Sequence, residues 1–283
     1  MNFDLEFDDL ELGNVELDDC DAISDNGEKI FQITGDSMFR KRTNYVDIVF
    51  CVCITSSMKS YLSHIKNVVN NFYDYICCKY DYYYSGFPDQ LRIKIIGFGS
   101  TENSGCNSLV ESEFFLIPQQ QDILSQYLDT LEVTDAYGLK NNALYAMTKA
   151  LYSDWHRIKD ISTEKTRQIV VMMSDRASLS FEELNDTDWN FDIDHNKLPQ
   201  NYMDFYYAWN PTGYPLGGSY TNNYGIDKRA GRLVLIVPEN EYPWEDMSEE
   251  FDYAAVVPFS GEIFPDKNYI CEVLASAFKG DIF

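Results

Sequence analysis

Basic residues are scarce in this chain, which has 22 Lys and Arg against 46 Asp and Glu and a formal net charge of −24. Nucleic acids and anionic membrane surfaces are polyanions, so the charge predicts that the chain binds neither. Apolar runs of the length that spans a bilayer, about 18 residues or more, are also missing. The acidic N-terminus lacks the basic and apolar regions of a signal peptide. We therefore expect a cytoplasmic protein.

Catalytic and disulfide signatures are missing as well. The seven cysteines are odd in number and form no Cys-x-x-Cys pair, which favours free thiols in a reducing compartment. The sequence has no GxxxxGK[ST], GxSxG or HExxH motif in a suitable context. Of the three histidines, His156 lies beside Trp155 and is expected to pack or cap rather than act as a base. We expect no enzymatic activity.

The N-terminal region carries much of the acidic charge, since residues 1–30 contain eleven acids and one lysine. Such a composition cannot bury enough apolar surface to offset the entropy of ordering, so residues 1–43 are predicted to be a flexible acidic tail. The alternation of Phe3, Leu5 and Phe7 allows an alternative, in which the tail orders on a partner or pairs as an edge strand. The remaining residues, 44–283, are predicted to form one domain.

From Val46 onwards, apolar runs alternate with segments of helical spacing. Val46–Ile54 is almost continuously apolar, as in a strand that is buried on both faces. The other predicted strands are Leu91–Phe98, Glu113–Ile117, Gln168–Ser174, Arg232–Val237 and Ala254–Val257. The predicted helices are Ser57–Tyr80, Gln119–Leu131, Asn141–Tyr152 and Lys267–Phe278. This order predicts an α/β fold: a doubly wound, mostly parallel sheet with one short antiparallel edge strand, Glu113–Ile117, and helices on both faces.

An aromatic-rich segment, residues 178–228, interrupts this rhythm and is interpreted as an irregular insert. It follows the strand that ends at Asp175, so it begins at the carboxyl edge of the sheet, where open α/β sheets bind ligands. Tyr206, Tyr207 and Trp209 are its candidate partner-binding residues, because Tyr and Trp are enriched in binding hot spots. In the alternative interpretation, these rings pack onto the domain as a self-contained lid.

The loop after the first strand contains Thr55-Ser-Ser-Met58. Strand and loop together resemble the first strand and metal loop of a von Willebrand factor type A (vWA) domain, whose pattern is Asp-x-Thr/Ser-x-Ser-Met. Cys53 stands at the aspartate position. The resemblance covers roughly residues 44–280 and is nearest to bacterial stand-alone vWA proteins. Supporting segments are Leu151–Trp155, Lys165–Asp175 and Tyr242–Asp246.

The resemblance implies a metal-ion-dependent adhesion site (MIDAS), in which Thr55, Ser57 and Asp175 match the ligand positions. Cys53 and Gly138 do not match, although Asp135 or Thr134 would supply a substitute ligand in another register of that loop. Soft sulfur is a poor replacement for a hard carboxylate around Mg²⁺, so a degenerate site without a cofactor is expected. The alternatives are weak Mg²⁺ binding and an Asp175–Arg176 ion pair in place of the metal. A zinc site at Cys53 would need His or further Cys residues nearby.

The resemblance also implies a function. The implied function is that of a non-catalytic scaffold or regulatory module. Such a module would bind a partner protein through the carboxyl edge of the sheet and the aromatic insert. By resemblance, the partner would be an ATPase, kinase or phosphatase of a bacterial stress or conflict system. One alternative is a Mg²⁺-dependent adhesion module that grips a partner carboxylate. Another is a hydrolase that uses Asp175 and the loops at the carboxyl edge, which would require a nucleophile and base pair that the sequence does not display.

Overall fold

A computed structural model of the chain describes residues 42–79, 87–99, 109–133, 139–157, 159, 164–185, 199–209, 226 and 230–279. The chain divides between Lys41 and Arg42, and all the described residues belong to the second unit. The predicted tail, residues 1–43, lies outside the described residues except for Arg42 and Thr43. Its flexibility therefore stays a prediction.

The second unit contains seven strands and seven α-helices among its described residues. The strands are β1 (Thr43–Cys53), β2 (Gln90–Phe98), β3 (Leu109–Glu111), β4 (Phe115–Ile117), β5 (Glu164–Met173), β6 (Gly231–Val237) and β7 (Ala254–Pro258). The helices are α1 (Leu62–Lys79), α2 (Gln121–Thr130), α3 (Ala143–Leu151), α4 (Phe181–Asn185), α5 (Tyr202–Trp209), α6 (Trp244–Glu250) and α7 (Lys267–Lys279). A short 3₁₀ turn, Ser56–Met58, precedes α1.

The strands form one sheet in the order β3-β2-β1-β5-β6-β7, and β4 also pairs with β2. All pairings are parallel except those of β3 and β4 with β2. Helix α1 contacts α2 and α7, whereas α3 contacts β1, β2 and α5, so helices cover both faces. The predicted α/β class is confirmed. Within the described ranges, no helix combines the length and apolar character that a membrane span needs.

The antiparallel edge is split rather than continuous. The predicted single strand Glu113–Ile117 is wrong in this detail, because β3 and β4 pair with opposite ends of β2. Between them, the Ser112 hydroxyl accepts a hydrogen bond from the N–H of Ile95 at 2.9 Å, and the N–H of Ser112 donates to the carbonyl of Ile95 at 2.9 Å. A side-chain oxygen thus takes the place of a ladder carbonyl and interrupts the regular pairing.

The aromatic-rich segment contains the crossover between β5 and β6. Parallel strands cannot be joined by a tight turn, so the chain must return across a face of the sheet. Here α5 lies in this connection, with Phe205 and Trp209 buried one helical turn apart. Their rings pack against Phe251, with centroids 6.0 and 5.3 Å away. The prediction of an irregular segment is therefore wrong for α4 and α5, and residues 186–198, 210–225 and 227–229 lie outside the described part.

Trp209 does not lie on a partner-binding surface, since only 2% of it is exposed. The lid alternative, in which these rings pack onto the domain, describes Trp209 correctly. Tyr206 and Tyr207 are half-buried and remain candidates. The physical reason is that a crossover helix of eight residues must bury an apolar stripe against its neighbours to be stable.

His156 contributes a pH-sensitive contact near the amino end of β1. Its ring stacks on Tyr45, with centroids 3.6 Å apart and an interplanar angle of 14°. Burial lowers the pKa of His156 below its ordinary value of 6.5, and the charge of Arg92 acts in the same direction. Asp47 and Glu164 oppose this shift. The imidazole is therefore neutral in the folded protein at neutral pH.

We expect acidification to destabilise the protein partly through His156. The unfolded chain takes up this proton at a higher pH than the folded chain, so stability that is present above about pH 6.5 is lost as the pH falls through the lower folded pKa. Chemical unfolding measured between about pH 7 and pH 5 should show a smaller loss of stability in His156→Gln than in the unmodified protein. Equal slopes in the two proteins would contradict this assignment.

Candidate functional site

The candidate site lies where the carboxyl ends of β1 and β5 meet in the middle of the sheet. The strand order reverses at this point, and in open α/β sheets the crevice at such a reversal is the usual ligand site. Val52 is in register with Met173. Cys53, the last residue of β1, and residues 54–57 therefore emerge beside Ser174 to Arg176, which follow β5.

Three residues predicted from the first loop form a chain of short contacts. The Cys53 sulfur lies 3.1 Å from the Thr55 hydroxyl, which lies 3.0 Å from the Ser57 hydroxyl. Cys53 and Thr55 are fully buried, whereas Ser57 is exposed. The carbonyl of Thr55 accepts from the N–H of Met58 at 2.9 Å, which closes the 3₁₀ turn. The turn thus brings the Ser57 hydroxyl back over the end of β1.

Cys53 is an uncharged group in this site. Burial raises the pKa of its thiol to about 11, although the hydrogen bond with Thr55 acts in the opposite direction. The amide nitrogen of Asn141 lies 3.6 Å from the sulfur and donates to it. At neutral pH the position that would hold a carboxylate in the vWA pattern therefore carries no negative charge.

Asp175 and Arg176 form an ion pair across the opening of the site. Arg176 Nε lies 3.2 Å from Asp175 Oδ1, and Nη2 lies 3.4 Å from Oδ2. The same Nη2 donates a short hydrogen bond to the Ser57 hydroxyl. The structure therefore contains the ion pair that the sequence allowed as an alternative, and the guanidinium links two of the predicted metal ligands.

The backbone around Arg176 is held by several neighbours. Its carbonyl accepts from Trp244 Nε1 at 3.1 Å and from the Ser174 hydroxyl at 3.0 Å. Gly261 lies against Asp175, where an added Cβ would be 3.4 Å from the Cβ of Asp175. Gly261 also has a φ of +84°, which disfavours other residues. These contacts fix the backbone from which the ion pair projects.

Asn141, Ser174 and Ser178 are site residues that sequence reasoning missed. Asn141 Nδ2 donates to the Ser174 hydroxyl at 2.8 Å, and its Oδ1 accepts from the N–H of Ala143 at 3.1 Å. The Ser178 hydroxyl accepts from the N–H of Leu144 at 3.0 Å. The available signal was the pair of asparagines, Asn141 and Asn142, at the start of the predicted helix, since asparagine is typical of N-terminal capping and the helix itself begins at Ala143. The second-loop positions Thr134, Asp135 and Gly138 lie outside the described residues.

No family model and no curated protein matches this sequence. Among solved structures, the chain is similar to the pilus adhesin SpaC of Lactobacillus rhamnosus GG, with a TM-score of 0.48 and 12% identity over 83% of this chain and 30% of that one. The likeness is in the fold: the sheet described above, parallel apart from the pairings of β3 and β4 with β2, is the α/β arrangement that the sequence resemblance to vWA domains implies. A von Willebrand factor type A structure from Catenulispora acidiphila gives a TM-score of 0.39 and 8% identity over 83% of this chain and 43% of that one.

A third similar structure is proximal thread matrix protein 1 from the mussel byssus with a zinc occupied MIDAS motif. It gives a TM-score of 0.40 and 9% identity over 82% of this chain and 46% of that one. The chain spans less than half the length of each of these three proteins.

The residues of this site do not fit a Mg²⁺ ion. Asp175 is the one carboxylate among the four described positions at which the resemblance predicts metal ligands, and its charge is paired with Arg176. The Ser57 hydroxyl accepts from the same guanidinium, and the Cys53 thiol is neutral at neutral pH. Across the part of the chain that the structure describes, no group of three or more His, Cys, Asp or Glu residues could hold a metal.

Among the residues that the structure describes, the hydroxyls of this site contact no base of the kind that nucleophilic catalysis needs. The Thr55 hydroxyl contacts Cys53 and Ser57, and the Ser57 hydroxyl contacts Thr55 and Arg176. A thiol with a raised pKa and a guanidinium are both protonated at neutral pH, so neither removes a proton from serine. These contacts give the hydrolase alternative no support.

Proposed function

We propose that the chain is a non-catalytic protein-interaction module that binds a partner protein through the carboxyl edge of its sheet. The observation that carries this proposal is the exposure of large apolar side chains at that edge. Leu139 and Ile263 are 90% and 83% exposed, more than any other large hydrophobic residue in the described ranges. Apolar side chains in this position favour burial against another molecule.

Three separate loops converge on one short segment, Asp175–Ser178. The N–H of Asn141 donates to the carbonyl of Ala177 at 3.1 Å, and the N–H of Ser178 donates to the carbonyl of Tyr242 at 3.1 Å. Gly261 packs against Asp175. Each loop carries an exposed large side chain within two residues of its contact, and we call this set the edge triad: Leu139, Tyr242 and Ile263. The edge triad therefore lies on the loops that border the ion pair.

The charge around the edge triad indicates the chemistry of the partner. Glu239, Glu241 and Glu262 are exposed on the loops after β6 and β7. Lys140 is the basic residue beside Leu139, and it pairs with Glu183 at 2.7 Å. We infer a partner segment with an apolar anchor and basic flanks, because complementary charge accelerates association and disfavours wrong partners. The partner classes that the sequence resemblance implies, an ATPase, kinase or phosphatase, belong to this proposal.

Tyr206 and Tyr207 form the second part of the proposed surface. They lie on α5 and are half-buried, with centroids 5.7 Å apart, and Tyr206 packs edge-on against Phe251 at 5.4 Å. Half-exposed tyrosines supply contact area at low entropic cost, so they suit a secondary contact beside the edge triad.

We expect acidic substitutions in the edge triad to weaken partner binding strongly without unfolding the protein. A photo-crosslinking residue at position 263 should capture a basic partner, and the same residue at position 123 on α2 should not. Affinity for the captured partner should fall by at least about 30-fold in Ile263→Asp, about 2 kcal/mol on the hot-spot scale. The matched control is Ile123→Asp, whose side chain is also exposed.

The melting temperatures of both variants should stay close to that of the unmodified protein, because neither side chain is buried. Equal affinity in Ile263→Asp and Ile123→Asp would contradict the proposal. Binding that is lost only in Tyr206→Ala and Tyr207→Ala would instead place the partner on α5.

A further inference from the structure

We infer that Arg176 replaces the divalent cation of the MIDAS in this chain, so that the site holds a cation of its own and works without metal. The guanidinium contacts both Asp175 and Ser57, which are the two matched ligand positions closest to the opening of the site. The inference concerns the same edge as the proposed function, but it stands whether or not the edge triad binds a partner.

The guanidinium and a metal ion would compete for the same oxygen lone pairs. Mg²⁺ requires oxygen ligands in near-ideal octahedral geometry. Here both carboxylate oxygens of Asp175 face guanidinium nitrogens, and the Ser57 oxygen accepts from Nη2. Arginine suits this arrangement because its planar fork matches a carboxylate and keeps further N–H donors for a neighbouring oxygen.

The net charge of the site agrees with a monovalent, built-in cation. Asp175 contributes one negative charge and Arg176 one positive charge, so their ion pair has no net charge. A Mg²⁺ ion entering the site would lose hydration and gain no net attraction, since the guanidinium would repel it.

The same balance of charge explains why a cysteine suits position 53. Cys53 is fully buried, so a carboxylate in its place would be a second anion with a single cation to neutralise both. An unpaired buried charge is costly, whereas a neutral thiol that contacts Thr55 is not. Cys53 and Arg176 therefore fit together. Arg176 supplies one positive charge, which neutralises Asp175, and a thiol at position 53 adds no second negative charge.

Neighbouring residues hold the backbone of Arg176 in place. Its carbonyl accepts hydrogen bonds from Trp244 and Ser174, and Ser174 is in turn held by Asn141. These partners come from three different segments of the chain, so the side chain projects from a backbone that is fixed at the centre of the site.

The test is a Mg²⁺ titration of the full chain by calorimetry and by thermal unfolding. The unmodified protein and Cys53→Asp are expected to show no stoichiometric binding at about 1 mM Mg²⁺, because the guanidinium is present in both. The double variant Cys53→Asp/Arg176→Ser should bind Mg²⁺ at least about tenfold more tightly than Cys53→Asp and rise in melting temperature with Mg²⁺. Cys53→Asp/Arg176→Lys is the matched control, which keeps the cation and should not bind.

Two outcomes would overturn the inference. One is stoichiometric Mg²⁺ binding by the unmodified protein that Asp175→Ala abolishes. The other is equal Mg²⁺ affinity in Cys53→Asp and in the double variant. If Arg176→Ser prevents folding in that background, Arg176→Gln keeps most of the volume and the same comparison decides. The titration involves no partner protein, so its failure is distinct from a failure of the proposed edge-triad surface.

Discussion

Replacing Trp209 with alanine is expected to lower the free energy of unfolding by about 3–5 kcal/mol, the cost of removing a large aromatic side chain from a packed core. The indole is buried on α5 and lies 6.4 Å from Phe205 and 5.3 Å from Phe251, measured between ring centroids. Its loss would detach the crossover helix from the end of α6 and leave a cavity that neighbouring rings fill only in part. Urea unfolding followed by circular dichroism measures the effect.

The matched control for Trp209 is Met203, which lies on the same helix with its side chain exposed. Met203→Ala should change the stability by less than about 0.5 kcal/mol, as is usual for surface positions. A Trp209→Ala protein as stable as Met203→Ala would show that α5 does not dock on Phe251. In that case Trp209 would return to the set of candidate partner-binding residues.

Asp47→Ala should be nearly as damaging, with an expected loss of about 3 kcal/mol, at the lower end of the range for breaking a buried ion pair. Asp47 lies in the middle of the sheet and is buried. Its carboxylate accepts from Arg92 Nε at 2.8 Å, from Arg92 Nη2 at 2.6 Å and from the N–H of His156 at 2.6 Å. The substitution leaves these donors without their acceptor, although Arg92 keeps 21% side-chain exposure and regains some hydration.

A double-mutant cycle separates this effect from a general loss of packing. Because the penalty comes from the uncompensated guanidinium, Asp47→Ala/Arg92→Met should recover part of the stability that Asp47→Ala loses. Lys140→Ala breaks an exposed ion pair and should cost less than about 1 kcal/mol. Similar losses in Asp47→Ala and Lys140→Ala, measured by the same unfolding experiment, would contradict the assignment of Asp47 as a buried tie between β1, β2 and the segment after α3.

The ion pairs near the two ends of β1, Asp47–Arg92 and Asp175–Arg176, have different structural roles. At Asp47 the ion pair joins neighbouring strands in register, since Asp47 is paired directly with Arg92. At Asp175 the ion pair lies in a loop and reaches Ser57 across the strand reversal. The first arrangement stabilises the sheet, whereas the second occupies a ligand site. We therefore expect the consequences of losing Arg176 to appear mainly in ion binding and those of losing Asp47 mainly in folding.

The sequence alone was sufficient to predict the α/β sheet and several of the residues at its carboxyl edge. Continuous apolar runs such as Val46–Ile54 predict strands that are buried on both faces. Because these runs alternate with segments of helical spacing, the sequence predicts parallel strands that are connected by helices. Parallel strands end at the same edge, so the sequence placed Thr55, Ser57 and Asp175 at one edge, whereas the pairing of β1 with β5 that makes them neighbours is a property of the tertiary structure. The resemblance to the vWA pattern also predicted that Cys53 stands at the aspartate position of a metal site, and this stays a prediction.

Other features depended on tertiary structure because they arise from contacts between residues far apart in the chain. The split edge comes from the Ser112 hydroxyl replacing a ladder carbonyl beside Ile95. Helix α5 was too short for its periodicity to stand out among many aromatic residues, and the burial of Trp209 depends on Phe251. The pairing of Arg176 with Asp175 was open from sequence, but its hydrogen bond to Ser57 spans 119 positions. Local sequence patterns determine which helices and strands form. The partners of a long, charged side chain such as Arg176 are instead determined by how the loops pack around it.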